Sequence, residues 1–331
     1  MKALKAVFAG FLRKYRTKKL AIVTHREADL DAISSCFALS SIFKKSDILL
    51  IDNPDDEGHL LIEKLGIKTR LLSEVSEADK KDYAGIVLVD TSTSVLVPGI
   101  MPGLGSHEGS EGSGIICIID HHRKIGKDLS APFEIIDENS PSTAEIIANM
   151  LSKIGQKEAF ALSVGIIADT AQFNSGRIET FETLGRIMRI SGASYAELLF
   201  YAGPPKSLDK KIAIAKAVQK MEFVEHKGFL ICTCLSGGSE SDVASMLASE
   251  LDIAFAAKKD SKDPAYTRIS GRVNRNSDIH LNEIMMKVGA LLNGKGGGHH
   301  KAAGARVMAK REDALKTCVA VAIEWIDARK P

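Results

Sequence analysis

Short apolar segments alternate with helical segments along the first half of the chain. Strand-like apolar runs cover about 20–23, 48–52, 85–90 and 115–120. The last two contain no alternating polar positions, which is typical of strands buried on both faces. Hydrophobic residues at helical spacing predict helices at about 29–44, 57–65, 142–154 and 159–169. This alternation predicts an α/β fold, a parallel sheet with helices on both faces.

The second half of the chain has its own pattern. Gly203, Pro204 and Pro205 interrupt the helices, and a long helix from Leu208 to about His226 is predicted to connect two lobes. Strands are predicted near 229–234, 252–257 and 266–273, with helices near 240–250, 279–292 and 311–329. These elements predict a smaller C-terminal α/β domain with its own core. The predicted segments are therefore 1–19, 20–202, the linker helix 203–226, and 227–331.

The first segment, 1–19, is an amphipathic basic helix. Leu4, Val7, Phe8 and Phe11 recur at helical spacing among lysines and arginines, and no acidic residue precedes Glu27. The helix either packs on the domain with a solvated basic face or contacts a membrane surface or nucleic acid.

Composition narrows the classes of protein. The 331 residues are 45% hydrophobic and 26% charged, with 44 Lys plus Arg against 42 Asp plus Glu, as in soluble globular proteins. This length predicts two domains. The resulting net charge is too small to indicate a protein that coats nucleic acid. We expect neither a secretory signal nor a membrane span. Five cysteines without a Cys-x-x-Cys pair indicate a reducing cytoplasm rather than disulfides or a zinc ribbon.

Histidine and aspartate recur where the predicted strands end. His25 follows the first strand, Asp90 ends another, and Asp120, His121 and His122 follow a third. Ligands bind at this edge of open α/β sheets. Carboxylates gathered there would repel one another without a cation, so the pattern predicts a metal site.

Asp29 and Asp31 add two carboxylates just after His25. In a helix, residues two apart diverge by about 200°, so each carboxylate favours a different ion. Two ions about 3.5–4 Å apart need a bridging carboxylate, for which Asp90 is the candidate. Imidazoles and carboxylates without thiolate favour two Mn²⁺ ions, with Co²⁺, Fe²⁺ or Mg²⁺ as alternatives, although Mg²⁺ alone prefers oxygen and water.

Five motifs, in order, resemble those of the DHH phosphoesterase superfamily over about residues 20–310. They are His25-x3-Asp29-x-Asp31, Asp90, Asp120-His121-His122, Gly165-Ile-Ile-Ala-Asp169-Thr170, and Gly296-Gly-Gly-His299-x2-Ala-Ala-Gly304. The last resembles the type-1 DHH-associated C-terminal domain found with nano-RNases, phosphatases of 3′-phosphoadenosine 5′-phosphate, and RecJ-type nucleases. Ala28 stands where many relatives have proline, which leaves every implied ligand in place.

The resemblance implies roles for residues of the N-terminal catalytic domain. One Mn²⁺ would be held by His25, Asp29 and Asp90, and the second by Asp31, Asp90, His121 and Asp169, with Asp90 bridging. Asp120 would orient an imidazole. His122 would contact the phosphate and assist the leaving oxygen.

The resemblance also implies a substrate-binding role for the C-terminal domain. Arg272 offers a bidentate fork for phosphate. Gly296, Gly297, Gly298 and His299 would form a substrate-binding loop, because glycines let backbone N–H groups approach an anion closely.

The function implied is hydrolysis of small nucleotide phosphoesters: short oligoribonucleotides, linear or cyclic dinucleotides, or 3′-phosphoadenosine 5′-phosphate. The length of the chain favours a short substrate enclosed between lobes. A RecJ-like exonuclease acting on longer single-stranded DNA or RNA is an alternative, as is a non-catalytic nucleotide-binding regulatory protein. Apolar helices also allow a homodimer.

Overall fold

The computed structural model describes residues 2–43, 45–98, 100, 114–122, 129–203, 207–274 and 276–328. The chain forms two compact units, Met1–Pro205 and Lys206–Pro331. Most of the glycine-rich and serine-rich stretch between Pro98 and Gly114, which the sequence predicts to be a loop, lies outside the described residues.

The first unit is built on a six-stranded sheet in the order β3-β2-β1-β4-β5-β6, in which every neighbouring pair is parallel. The predicted α/β class and parallel sheet are confirmed. The strands are β1 (Leu20–Thr24), β2 (Ser46–Leu50), β3 (Thr69–Leu71), β4 (Ile86–Val89), β5 (Ile115–Asp120) and β6 (Phe133–Ile136).

Eight helices are described in this unit. They are α1 (Lys2–Tyr15), α2 (Leu30–Ser40), α3 (Asp56–Leu65), α4 (Glu77–Asp82), α5 (Thr143–Met150), α6 (Gln156–Asp169), α7 (Ile178–Ser191) and α8 (Tyr195–Ala202). Five of them begin where side-chain oxygens accept backbone hydrogen bonds, and two of these caps lie near the site described below: Asp29 caps α2, and Ser142 caps α5.

Both faces of the sheet are buried. In β1, Leu20 and Ile22 belong to one hydrophobic cluster, while Ala21 and Val23 belong to another on the opposite face. The basic helix α1 packs on the first cluster, where the ring of Phe11 lies 5.5 Å from that of Phe43. The hydrophobic face of α1 therefore has a structural role.

The strand order reverses direction between β1 and β4. From β1 the chain proceeds outward through β2 and β3, and from β4 it proceeds the other way through β5 and β6. Such a switch point opens a crevice at the carboxyl ends of the strands, where doubly wound folds bind ligands. This crevice follows β1, β4 and β5, the strands that the sequence marks with His and Asp.

The second unit contains a mixed six-stranded sheet in the order β11-β12-β10-β9-β8-β7, in which only β8 and β9 pair in parallel among the described strands. Its strands are β7 (Glu222–His226), β8 (Phe229–Leu235), β9 (Ile253–Lys259), β10 (Thr267–Val273), β11 (Lys295–Gly298) and β12 (Ala302–Val307). Its helices are α9 (Leu208–Gln219), α10 (Glu240–Glu250), α11 (Leu281–Leu291) and α12 (Arg311–Ala328).

The predicted linker helix extending to His226 is wrong. The helix α9 ends at Gln219, and residues 222–226 form an edge strand paired with β8. The partner strand β8 follows after a turn, and the hydrophobic spacing within 222–226 alone does not indicate this pairing. The glycine-rich tract also differs from the expected loop, because β11 and β12 form an antiparallel hairpin there. Among the described helices, none combines the length and apolar character needed to cross a membrane.

Candidate metal centre and phosphate cleft

The candidate metal centre lies at the switch point of the first sheet. His25, Asp90 and His121 directly follow β1, β4 and β5, so the parallel strands deliver all three to one edge. Asp31 comes from the first turn of α2, and Asp169 is the last residue of α6.

Asp90 lies at the middle of this group. One of its oxygens, Oδ2, is 3.4 Å from Nε2 of His25, and the other, Oδ1, is 3.6 Å from Nε2 of His121. The same His121 nitrogen is 3.3 Å from Oδ2 of Asp169. An aspartate that presents one oxygen to each side has the arrangement that a bridging ligand requires.

Three overlapping groups have ligand atoms that all lie within 4.8 Å of one another. They are His25, Asp29 and Asp90; Asp31, His121 and Asp169; and Asp90, His121 and His122. All six residues expected as metal ligands thus come together in the first unit. Asp29 also caps α2, since its Oδ1 accepts a hydrogen bond from the backbone N–H of Ala32 at 3.0 Å.

The backbone of Asp90 is in the left-handed region, with φ of +61°. Non-glycine residues rarely adopt this conformation, and it is found most often where surrounding structure enforces it at functional sites. The backbone N–H of Asp90 donates to the carbonyl of Ile119 at 2.8 Å, which ties the residue to β5.

The N-terminus of α5 contributes residues that the sequence analysis missed. Both oxygens of Asp31 accept backbone hydrogen bonds there, Oδ2 from Thr143 at 2.7 Å and Oδ1 from Ala144 at 2.9 Å. The Thr143 hydroxyl donates to Oδ1 of Asp90 at 2.7 Å. The sequence analysis predicted this segment only as the start of a helix, although helix N-termini favour negative charge, which was the available signal.

The carboxylates are crowded. Burial, followed by the charge of Asp90, raises the pKa of Asp31 well above its usual value. Burial and the charge of Asp29 do the same for Asp90, and raise the pKa of Asp169 to about 6. Positive charge among these oxygens would remove the repulsion, so the donor set fits divalent cations.

Burial favours the neutral form of the two imidazoles, His25 and His121. Burial lowers the pKa of His25, and burial together with the charge of His122 lowers that of His121. Nδ1 of His121 lies 3.2 Å from the carbonyl oxygen of Ser140, which can only accept a hydrogen bond. This contact places the proton on Nδ1. The unprotonated Nε2, which lies beside Asp90 and Asp169, therefore has a lone pair that can bind a metal ion.

Asp120 orients His122. Its Oδ1 accepts hydrogen bonds from the backbone N–H and Nδ1 of His122, at 3.1 and 2.9 Å. The bond to Asp120 raises the pKa of His122 to about 9. Burial alone would raise the pKa of Asp120, but the hydrogen bonds from His122 lower it below its usual value. The His122 side chain is 58% exposed, so it can reach a ligand.

The second unit carries the expected substrate residues. A cleft of about 680 Å³ lies over its sheet and is lined by Arg272 and Gly296–Gly298. Arg272 donates from Nη1 to Ser270 Oγ and to the Gly271 carbonyl, at 3.1 and 2.8 Å, and from Nη2 to Ser241. His299 is exposed and its backbone N–H closes the hairpin by donating to Ala302, but it does not line this cleft.

The three glycines of the hairpin differ in their structural need. A Cβ at Gly296 would lie 1.8 Å from the carbonyl oxygen of Met285, and Gly298 has φ of +138°. Both are therefore required by the fold. A Cβ at Gly297 would meet no atom within 4 Å, so packing does not explain that glycine.

Comparisons with known proteins agree with these features. The DHH family N-terminal domain matches residues 19–172 and the DHHA1 domain matches residues 227–328. An uncharacterized protein of Methanocaldococcus jannaschii is 27% identical over 308 residues, covering 88% of each chain. Another from this organism is 28% identical over 305 residues, covering 87% of this chain and 58% of that protein.

Among solved structures, an exopolyphosphatase-related protein from Bacteroides fragilis has a TM-score of 0.76 at 17% identity, covering 98% of this chain and 97% of that one. This similarity shows the shared fold. The two domain matches include the carboxyl edge of the first sheet and the glycine-rich hairpin of the second. The chain therefore belongs to the DHH phosphoesterase superfamily and is a metal-dependent phosphoesterase.

Proposed function

We propose that this phosphoesterase uses two Mn²⁺ ions to hydrolyse small nucleotide phosphoesters. The observation that carries the proposal is the set of three overlapping His and Asp groups that share Asp90 or His121 at the switch point. Two adjacent groups of mixed imidazole and carboxylate ligands suit a pair of ions of the Mn²⁺ type better than a structural zinc or Mg²⁺ alone.

The proposed ligands follow from these groups. His25, Asp29 and Asp90 would hold one ion, and Asp31, Asp90, His121 and Asp169 the other. A bound pair of divalent ions supplies Lewis acidity toward water and toward the phosphoryl oxygens. The N-terminus of α5 holds Asp31 and Asp90 in place, which keeps the ligand set ordered.

His122 is the proposed proton donor to the leaving oxygen. Its Nδ1 is occupied by Asp120 at 2.9 Å, which leaves Nε2 to carry a proton to a ligand. Asp120 fixes the orientation of the ring through both the side chain and the backbone of His122.

The second unit is proposed to bind the substrate phosphate. The guanidinium of Arg272 is anchored by Ser270 and the Gly271 carbonyl, so its position is set before a ligand arrives. Gly296, Gly297, Gly298 and His299 are the other substrate-binding residues proposed in this unit. Of these, Gly297 offers backbone that no side chain covers.

The substrate is tested by an assay of the full chain with Mn²⁺ on four compounds: 3′-phosphoadenosine 5′-phosphate, a linear dinucleotide, a cyclic dinucleotide and a 5′-labelled 24-mer, with products read by mass. We expect turnover of at least one of the first three, and Asp90→Asn as the inactive control. Preferred digestion of the 24-mer would instead favour the exonuclease function. Binding without turnover on all four would favour a regulatory protein.

The choice of metal is tested separately. Activity of chelated protein should return with Mn²⁺ at lower concentration than with Co²⁺ or Mg²⁺. Recovery with Zn²⁺ or Mg²⁺ alone at the lowest concentration would contradict the assignment. The homodimer and the cytoplasmic location expected from the sequence stay predictions.

A further inference from the structure

Four basic side chains cross the second sheet in a single row. In the strand register, Lys258 of β9 is opposite Arg268 of β10, Arg268 is opposite Arg306 of β12, and Arg306 is opposite Lys295 of β11. Neighbouring strands lie about 4.8 Å apart, so the row is on the order of 14 Å long. We call these four residues the basic row.

Like charges directly opposite one another destabilise a sheet unless something compensates them. Two members of the basic row have acidic partners: Lys258 Nζ is 2.7 Å from Glu240 Oε2, and Arg306 Nε is 2.8 Å from Asp260 Oδ2. Arg268 and Lys295 are exposed and, within the part of the chain that the structure describes, have no acidic partner. Their charge is available to a ligand.

The row next to the basic row, toward Arg272, carries only small residues. It consists of Ala256, Ser270, Gly304 and Gly297. Ala256 is buried, and the other three line the cleft. The exposed face therefore runs from the basic row, across a floor of small residues, to the guanidinium of Arg272. The cleft over this face is lined by five basic residues and two acidic ones, which gives it a net positive charge.

The length of this face matches a short oligonucleotide. The Cα atoms of Arg268 and Arg272 are four residues apart on β10, or on the order of 13 Å at about 3.3 Å per residue. Stacked nucleotides rise by about 3.4 Å each, so a single strand of roughly four nucleotides spans this distance.

We propose that the basic row is a second phosphate-binding position, which holds the backbone of a single-stranded oligonucleotide whose other end lies at Arg272. The choice of ligand rests on the proposed function, but binding at the row is measured without hydrolysis. Gly297 lies on the floor between the two positions, where a bare backbone allows close approach of the ligand.

The test compares the full chain with the double variant Arg268→Gln/Lys295→Gln. The binding of a labelled octaribonucleotide is measured by fluorescence anisotropy at several salt concentrations, without added metal. Each phosphate contact on a single strand contributes about 0.7 to the slope of log affinity against log salt. We expect the double variant to bind at least tenfold more weakly, with a slope shallower by about 1.4.

Two variants serve as controls. Lys220→Gln/Lys316→Gln removes the same charge from exposed positions elsewhere in the second unit and should bind as wild type. Arg268→Lys/Lys295→Arg keeps the charges and should restore most of the affinity. Thermal melts establish that each variant is folded, and we expect the first double variant to be at least as stable as wild type because it removes repulsion.

A dinucleotide separates this inference from the proposed function. Without a terminal phosphate it carries a single phosphate, the one that is cleaved, so its hydrolysis should change less than twofold in Arg268→Gln/Lys295→Gln. Failure of the wild type to bind the octamer, unchanged affinity in this variant, or equal loss in the charge-matched control would each overturn the inference. Absence of hydrolysis on every substrate, with octamer binding retained, would contradict the proposed function alone.

Discussion

At the scale of single residues, Asp90 is placed where an aspartate is least stable. Its backbone is left-handed, and its carboxylate is 2% exposed beside other acidic groups. Both features cost free energy in the absence of a cation. The residue therefore has a functional explanation and lacks a structural one.

We predict that Asp90→Asn lowers kcat by at least about a hundredfold and stabilises the metal-free protein. Asparagine accepts the Thr143 hydrogen bond and tolerates left-handed backbone, but it carries no charge. The folded protein raises the pKa of Asp90, so ionisation of this carboxylate lowers the stability of the wild type as the pH rises above the usual aspartate pKa near 4. Below that pH the carboxylate is protonated, and the wild type and Asp90→Asn should have the same melting temperature.

The measurement is a thermal melt with chelator at pH 7. A gain of at least about 2 °C is expected, the shift for roughly 1 kcal/mol in a domain of this size. Asp82→Asn, at an exposed residue paired with Lys19, is the control and should change little. A lower melting temperature for Asp90→Asn would show that its charge stabilises the fold.

Thr143 allows a second test at the residue scale. Thr143→Val keeps the shape of the side chain but removes the donor to Asp90, so activity and Mn²⁺ affinity should fall about 10- to 100-fold. Thr143→Ser keeps the hydroxyl and should recover most of both. Calorimetric titration with Mn²⁺ measures the affinity, and full activity of the valine variant would exclude a role for this hydrogen bond.

At the scale of elements, the hairpin formed by β11 and β12 combines two requirements in three adjacent glycines. Gly296 lets the strand pass close to α11, whereas Gly297 is open to the cleft. The same short segment therefore serves packing and, in the proposed function, ligand binding.

Alanine substitutions should separate these requirements. Gly297→Ala should leave the melting temperature unchanged and raise KM for the substrate about tenfold, or roughly 1.4 kcal/mol. Gly296→Ala should lower the melting temperature, because its Cβ meets the backbone of Met285. Gly185→Ala, at another open glycine, is the control and should leave KM unchanged. An unchanged KM for Gly297→Ala would remove that glycine from the binding surface.

The sequence predicted four of the six strands described in the first unit and the residues at their ends, because buried parallel strands are nearly continuous apolar runs. It missed the short edge strands β3 and β6. It did not predict that α5 would hold Asp31, because a predicted helix start indicates free backbone N–H groups but not which distant carboxylate meets them. The sequence analysis wrongly continued the predicted helix through Glu222–His226. This segment is a strand because it pairs with β8, and such a tertiary contact is not visible in local hydrophobic spacing. The motif resemblance implied the proposed ligand set, and the fold explains why such distant residues meet.

At the scale of the whole molecule, each unit has its own hydrophobic core. The clusters of the first unit contain residues up to Ala202, and those of the second begin at Ile214. All six proposed ligands belong to the first unit. Metal binding should therefore stabilise one unit and not the other.

Scanning calorimetry of the full chain should show two unfolding transitions. Mn²⁺ at a hundredfold excess over its dissociation constant adds about 2.7 kcal/mol, which should raise one transition by about 5–10 °C and leave the other in place. Chelator should reverse the shift, and Asp90→Asn should abolish it. A joint shift of both transitions would show that the two units unfold cooperatively.

The positions of the proposed metal ligands along the chain also set the timing of assembly. They come from both ends of the first unit, with His25 just after its first strand and Asp169 at the end of α6. During synthesis on the ribosome, the early ligands emerge many seconds before the last one, at roughly 5–20 residues per second. The nascent chain can complete the ion-binding pair only after α6 has docked, so loading with metal follows folding and depends on it.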